Sequence, residues 1–139
     1  MSAAAILRVA AALAATQGVG HGALFLSWKP RHGAAEIAVI DAMKTNHFVF
    51  GGSLRSYWDM YFGYGLEAAA VCFVEAVLFW QLADVAASQP ELVRPMVALF
   101  ILFNAGHALL TARYFFHLPM LFDVAIAGCL TWAYFAAAR

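Results

Sequence analysis

The side chains of this sequence that could do chemistry are ionisable and amide groups set inside apolar runs: Gln17, His21, Glu67, Asn104, His107 and Asp123. Such groups are costly in hydrocarbon. In a membrane-spanning helix they face protein or a water-filled cavity, and an ionisable one marks a functional site by default. Glu67 is the expected centre. A carboxyl and an imidazole held together can exchange a proton, which is the requirement of general acid–base catalysis. Glu67 is therefore the candidate acid or base, with His21 or His107 as its partner.

Depth along each helix ties these residues together, because an α-helix rises about 1.5 Å per residue. Measured from the end of each run that meets the long connector or the His117 turn, His21 lies about 10 Å deep and Glu67 about 15 Å deep. Asn104, His107 and Asp123 lie roughly 14, 9 and 6 Å deep. Their faces also agree: Gln17 and His21 are four apart, Tyr64 and Glu67 three apart, and Asn104, His107 and Thr111 form one helical stripe. Asp123, Ala127, Thr131 and Tyr134 form another. The spacing predicts an interior pocket lined by Gln17, His21, Tyr64, Glu67, Asn104, His107 and Asp123, with Trp28, Thr111 and Trp132 among the ligand-contacting side chains. Glu75 continues the Glu67 helix toward the other membrane face, as a second polar position or a headgroup contact. The plainer reading is that the amides, Thr111 and each histidine are interhelical hydrogen-bonding groups.

The elements that must carry these residues follow from composition. Of 139 residues 65% are hydrophobic and 12% charged, whereas soluble domains are about half apolar and a quarter charged. The sequence reads as one integral membrane domain. Eight basic and eight acidic residues leave no net charge, so no nucleic-acid footprint is present. Cys72 and Cys129 lie in apolar runs and read as packing residues.

Runs of about 20 apolar residues can cross the hydrocarbon layer. They place spans at about 9–28, 57–82, 95–113 and 119–138, and the fold class is all-α: a four-transmembrane-helix bundle. A cleaved signal segment is the rival reading of the first run. Gly18 and Gly22 form a small-x-x-x-small pair suited to close helix contact and to a homo-oligomer. Between the first two spans, residues 34–46 are weakly amphipathic and predict a short interfacial helix or an ordered loop, with Phe48 and Phe50 anchoring the exit. Pro95 is expected in the first turn of the third span, after a polar turn over 84–94.

At the mouth of the second span stand Tyr57, Trp58, Tyr61 and Tyr64, an aromatic belt. Arg55 and Asp59, four apart, are expected to pair there as an interface contact. Five basic residues on the long-connector face (Lys29, Arg31, Lys44, Arg55, Arg113) against three on the other (Arg8, Arg94, Arg139) predict both termini outside.

The run Met43-Lys44, Phe48, Gly51 and Arg55-Ser-Tyr-Trp-Asp-Met-Tyr-Phe-Gly-Tyr-Gly, with His21 upstream and Arg113-Tyr-Phe-Phe-His-Leu-Pro119 downstream, resembles an uncharacterised family of small bacterial four-span membrane proteins. The resemblance covers most of the chain and implies a multi-pass protein of the bacterial inner membrane, with no activity to carry over. In size, span count and intramembrane His and Glu, the chain is more loosely similar to emopamil-binding and sigma-2-like proteins, which raises the expectation of an apolar ligand.

Four functions are consistent with this pattern. The first is binding of a small apolar or lipid-like molecule, such as a quinone, isoprenoid or sterol, in a pocket with a few convergent polar groups. The second is a membrane enzyme doing Glu/His acid–base chemistry on such a lipid. The third is haem or metal binding through His21 and His107, against which stands the absence of any paired ligand spacing, so no metal site and no cofactor is assigned. The fourth is a structural or oligomeric bundle. Expected partners are membrane lipids, an apolar ligand and a second copy of the chain.

Overall fold

The computed structural model describes residues 1–138. In chain order they form α1 (Ala3–Leu26), α2 (Ala34–Thr45), β1 (His47–Phe50), β2 (Ser53–Ser56), α3 (Tyr57–Ser88), α4 (Pro90–Tyr114) and α5 (His117–Ala136). Helices α1, α3, α4 and α5 are each long and apolar enough to cross a membrane. The four long apolar helices expected from the sequence are therefore present, with shifted ends.

Each shift has a local cause. α1 begins at Ala3 rather than Val9, since alanine is the best helix former and Ser2 Oγ accepts a bond from Ala5 N at 3.3 Å. The predicted polar turn at 84–94 shrinks to Gln89. Leu82, Ala83 and Ala86 extend the buried face of α3, and Val93 and Val97 that of α4, so Asp84 and Glu91 occupy exposed helix faces while Arg94 is half-buried. Pro90 takes the first position of α4, and Pro95, expected there, falls inside the helix. At 32 residues α3 is about 48 Å long, well beyond a hydrocarbon layer of about 30 Å.

The connector holds the largest departure from an all-α reading. β1 and β2 pair antiparallel with His47 opposite Ser56 and Phe50 opposite Ser53. The two-residue turn between them is Gly51-Gly52, with φ of 56° and 81°. Positive φ at both central positions is what a type I′ hairpin needs, and glycine adopts it at no steric cost. The signal was legible as two short apolar-containing runs separated by Gly-Gly.

The chain forms two compact units. One comprises Met1–Gly18 together with the chain from Val71 onward; the other is Val19–Ala70. In the first unit a continuous core joins Ile6, Leu7 and a face of alanines on α1 to Phe79 and Leu82 on α3, Val93 and Val97 on α4, and Ile126 and Leu130 on α5. The alanines Ala3, Ala10 and Ala14 let neighbouring backbones approach closely, the usual device of packed membrane helices. α4 and α5 are joined by only Phe115 and Phe116 and pack extensively on each other. At the surface of this unit Arg8 pairs with Asp84 at 3.2 Å, and the half-buried Arg94 has its guanidinium 4.5 Å from the Tyr134 ring centre. Arg139, counted in the charge comparison, lies outside the described residues.

In the second unit the end of α1 meets the start of α3 through aromatic rings. Trp28 and Trp58 are 5.0 Å apart, and Phe25 and Tyr61 are 5.3 Å apart. Gly65 is the close-packing glycine here, because a Cβ at that position would overlap the Phe25 ring. Gly22, singled out by its spacing, would make only ordinary contact with Ala69 Cβ at 4.0 Å.

Candidate functional site

In the first unit, polar side chains from all four long helices come together. Asp123 on α5 is the centre, buried and bonded on both carboxylate oxygens. Gln17 Nε2 on α1 donates to Oδ1 at 2.7 Å, and Thr111 Oγ1 on α4 donates to Oδ2 at 3.1 Å. His107 Nδ1, one turn before Thr111, lies 3.1 Å from the same Oδ2. One turn before His107, Asn104 Nδ2 donates to Glu75 Oε1 on α3 at 2.8 Å and to Phe100 O at 3.1 Å. Both amide hydrogens of Asn104 are thereby used, which fixes the orientation of the amide. Glu75 lies within electrostatic reach of His107 and Asp123, so the two sets of bonds belong to one cluster.

The stripe Asn104, His107 and Thr111 read from spacing is the face of α4 that enters the cluster, and Gln17 and Asp123 join it as expected. Glu67 does not occupy the place foreseen for it: its side chain is exposed, and the buried glutamate of α3 is Glu75. The reason lies in the covered stripe of α3, which runs Gly65, Ala69, Cys72, Glu75 and Phe79. Glu67 stands two residues from both Gly65 and Ala69, about 200° around the helix from each. Tyr64, grouped with it, is also exposed. Gly65, Ala69 and Cys72 are the small residues of that packed side.

His21, Tyr64, Glu67 and Trp28 all belong to the second unit. His21 is half-buried on α1. Trp132, foreseen as a pocket wall, is exposed on α5. Among the described residues, no three His, Cys, Asp or Glu side chains are grouped so as to hold a metal ion. Cys72 and Cys129 are both free thiols.

The Arg55–Asp59 pair is a correction. Arg55 lies on β2, not on α3, and its Nη1 donates to Leu54 O at 2.8 Å. Asp59 instead accepts from Ser56 N at 2.8 Å, while Ser56 Oγ accepts from Asp59 N at 3.1 Å. This reciprocal cap on the first turn of α3 follows the Ser-x-x-acid signature visible in the sequence.

The second unit has a comparable carboxylate in Glu36, in the first turn of α2. It accepts from the backbone N–H groups of His32 and Arg31. The His32 amide, foremost, and then the Arg31 amide hold its carboxyl below the usual glutamate range, against the opposing effect of partial desolvation. Nearby, a cavity of about 460 Å³ opens beside the last turns of α1 and the loop that follows.

In chemical terms the Asp123 cluster ends on a single accessible group. With Nδ1 engaged, His107 has Nε2 left, which finds no hydrogen-bond partner among the described residues, and the side chain is 40% exposed. The Phe103 ring lies parallel to the imidazole at 6.1 Å, its plane tilted by only 3°. A carboxylate bonded to one imidazole nitrogen sets the tautomer and leaves the other nitrogen to accept a proton or a hydrogen bond. Compared with protein-family models, curated proteins and solved structures, the chain matches none.

Proposed function

We propose that this chain is an integral, multi-pass membrane protein that binds a small, largely apolar molecule at the Asp123 cluster, with His107 as its polar contact. The observation that carries the reading is the asymmetry of the cluster. Gln17, Thr111 and Asp123 are buried and bonded to one another, whereas the bonds end on a half-exposed ring beside Phe103. Groups that merely fasten helices are satisfied within the protein. A polar nitrogen left on the apolar flank of a helix costs free energy until something bonds to it. A quinone, isoprenoid alcohol or sterol would supply one oxygen to Nε2 and lay its hydrocarbon along Phe103 and the neighbouring apolar surface. The family resemblance supports the membrane location, in the bacterial inner membrane with both termini outside, and α2, which buries none of its residues, is read as lying along the membrane surface.

The test is titration of the protein in lipid nanodiscs with decylubiquinone, farnesol and cholesterol, in wild type and His107→Ala. Saturable binding of one of them, weakened about tenfold or more by the loss of one bond to a desolvated group, is the expected result. Equal binding by both proteins removes His107 from the site.

A second reading is favoured by the His107–Asp123 bond itself, which is how a carboxylate orients an imidazole base in many hydrolases. In that case His107 would take a proton from the bound lipid at Nε2, with Glu75 as the second carboxyl of the cluster. His107→Gln would then abolish turnover of the ligand found in the titration while sparing its binding.

A further inference from the structure

The cavity in the second unit is lined by none of the residues assigned to the Asp123 cluster. It is lined by Gly20, Ala23 and Leu24, in the last two turns of α1, and by Trp28, Lys29, Arg31 and His32 of the loop that follows. Its volume, about 460 Å³, is within the roughly 300–1,000 Å³ of small-molecule sites.

The charges in the lining are unequal in their commitments. Glu36, the one carboxylate in the lining, is held by the amides of Arg31 and His32, with His32 Nδ1 3.4 Å away. Its charge is spent on shaping the loop. Lys29 and Arg31 are exposed, and neither side chain has an ion pair among the described residues. Two uncommitted cations therefore share a cavity lining with Ala23, Leu24 and Trp28. Arginine matches the geometry of a phosphate with parallel N–H donors, and lysine adds a point charge. The Trp28 ring supplies the amphipathic surface typical of the headgroup level.

We infer that this cavity is a binding site for the phosphate of an anionic phospholipid, with Lys29 and Arg31 on the phosphate and Leu24 and Trp28 against the glycerol and first acyl carbons. The inference rests on the membrane reading above, which puts the end of α1 at the headgroups. A free phosphate ion has the same charge but would leave Ala23, Leu24 and Trp28 without an apolar contact, so a lipid is the occupant that uses the whole lining.

Native mass spectrometry of the detergent-solubilised protein, titrated with phosphatidylglycerol and with phosphatidylcholine, tests this. Wild type should retain one phosphatidylglycerol about tenfold or more tightly than phosphatidylcholine, since each basic residue near an anionic surface contributes about 1 kcal/mol. The double variant Lys29→Gln/Arg31→Gln should lose that preference. Lys44→Gln removes a charge of the same connector that does not line the cavity, and should keep it. Both variants alter exposed side chains, and unchanged circular dichroism would exclude misfolding as the cause. Equal binding of the two lipids, or a preference that survives in the double variant, overturns the inference. Displacement of phosphatidylglycerol by an equal concentration of inorganic phosphate reassigns the site to a free anion and overturns it as well. A protein that stays dispersed and folded without detergent would overturn the membrane reading beneath it instead.

Discussion

The two units of this protein satisfy their carboxylates in opposite ways. In the connector unit, Glu36 and Asp59 are bonded by groups three to five residues away along the chain. In the helical unit, Asp123 takes a donor 106 residues distant and Glu75 one 29 residues distant. The local bonds shape loops and cap a helix at the surface. The distant ones join four helices through a buried network, where each lost partner strands another polar group. The same residue type thus serves as loop chemistry in one region and as the pin of the fold in the other.

The sharpest way to break this contrast is Asp123→Ala. It strands the Gln17 amide, the Thr111 hydroxyl and the His107 ring nitrogen together, and at about 0.5–1.5 kcal/mol per buried bond the loss should come to roughly 2–4 kcal/mol in reversible unfolding in detergent. Stability within about 0.5 kcal/mol of wild type would show that Asp123 is not the shared acceptor.

Next in size is a paired comparison on α3. Glu75→Ala removes the bond to Asn104 and should cost about 1–3 kcal/mol, whereas Glu67→Ala, on the exposed face, should fall within about 0.5 kcal/mol. The same thermal unfolding measurement reads both, and equal losses would erase the distinction between the two glutamates.

Smaller still is the cap on α3. Ser56→Ala should cost about 1 kcal/mol and fray the helix start, visible as faster amide exchange at Asp59.

The mildest effect concerns pH. Because the folded state holds Glu36 below the ordinary glutamate pKa, its contribution is complete at neutral pH. It fades as the pH falls below about 4.3 and through the lowered folded value. Protection of the Arg31 and His32 amides from exchange should decline over that acid window in wild type and be absent throughout in Glu36→Ala. Protection that persists under acid would mean that the carboxylate does not hold the loop.

Much of this architecture was legible in one dimension. Four long apolar runs could only become helices of membrane-crossing length, since an unpaired backbone is intolerable in hydrocarbon. Gly51-Gly52, turn-like by composition, and Ser56-x-x-Asp59 carry a hairpin and a cap within a few residues, and neither needs a distant partner. The stripe Asn104, His107 and Thr111 was recoverable because helical periodicity fixes which residues share a face.

What the sequence determined by itself is therefore the set of helices and, on α4, the side that is polar. Only the tertiary structure decided that Glu75 rather than Glu67 is buried, and that Gln17, His107 and Thr111 converge on one oxygen pair of Asp123. Periodicity is a property of a single helix. Which sector of that helix is covered, and which distant donor meets a buried acceptor, depends on the neighbours packed against it, and spacing within one helix carries no record of them.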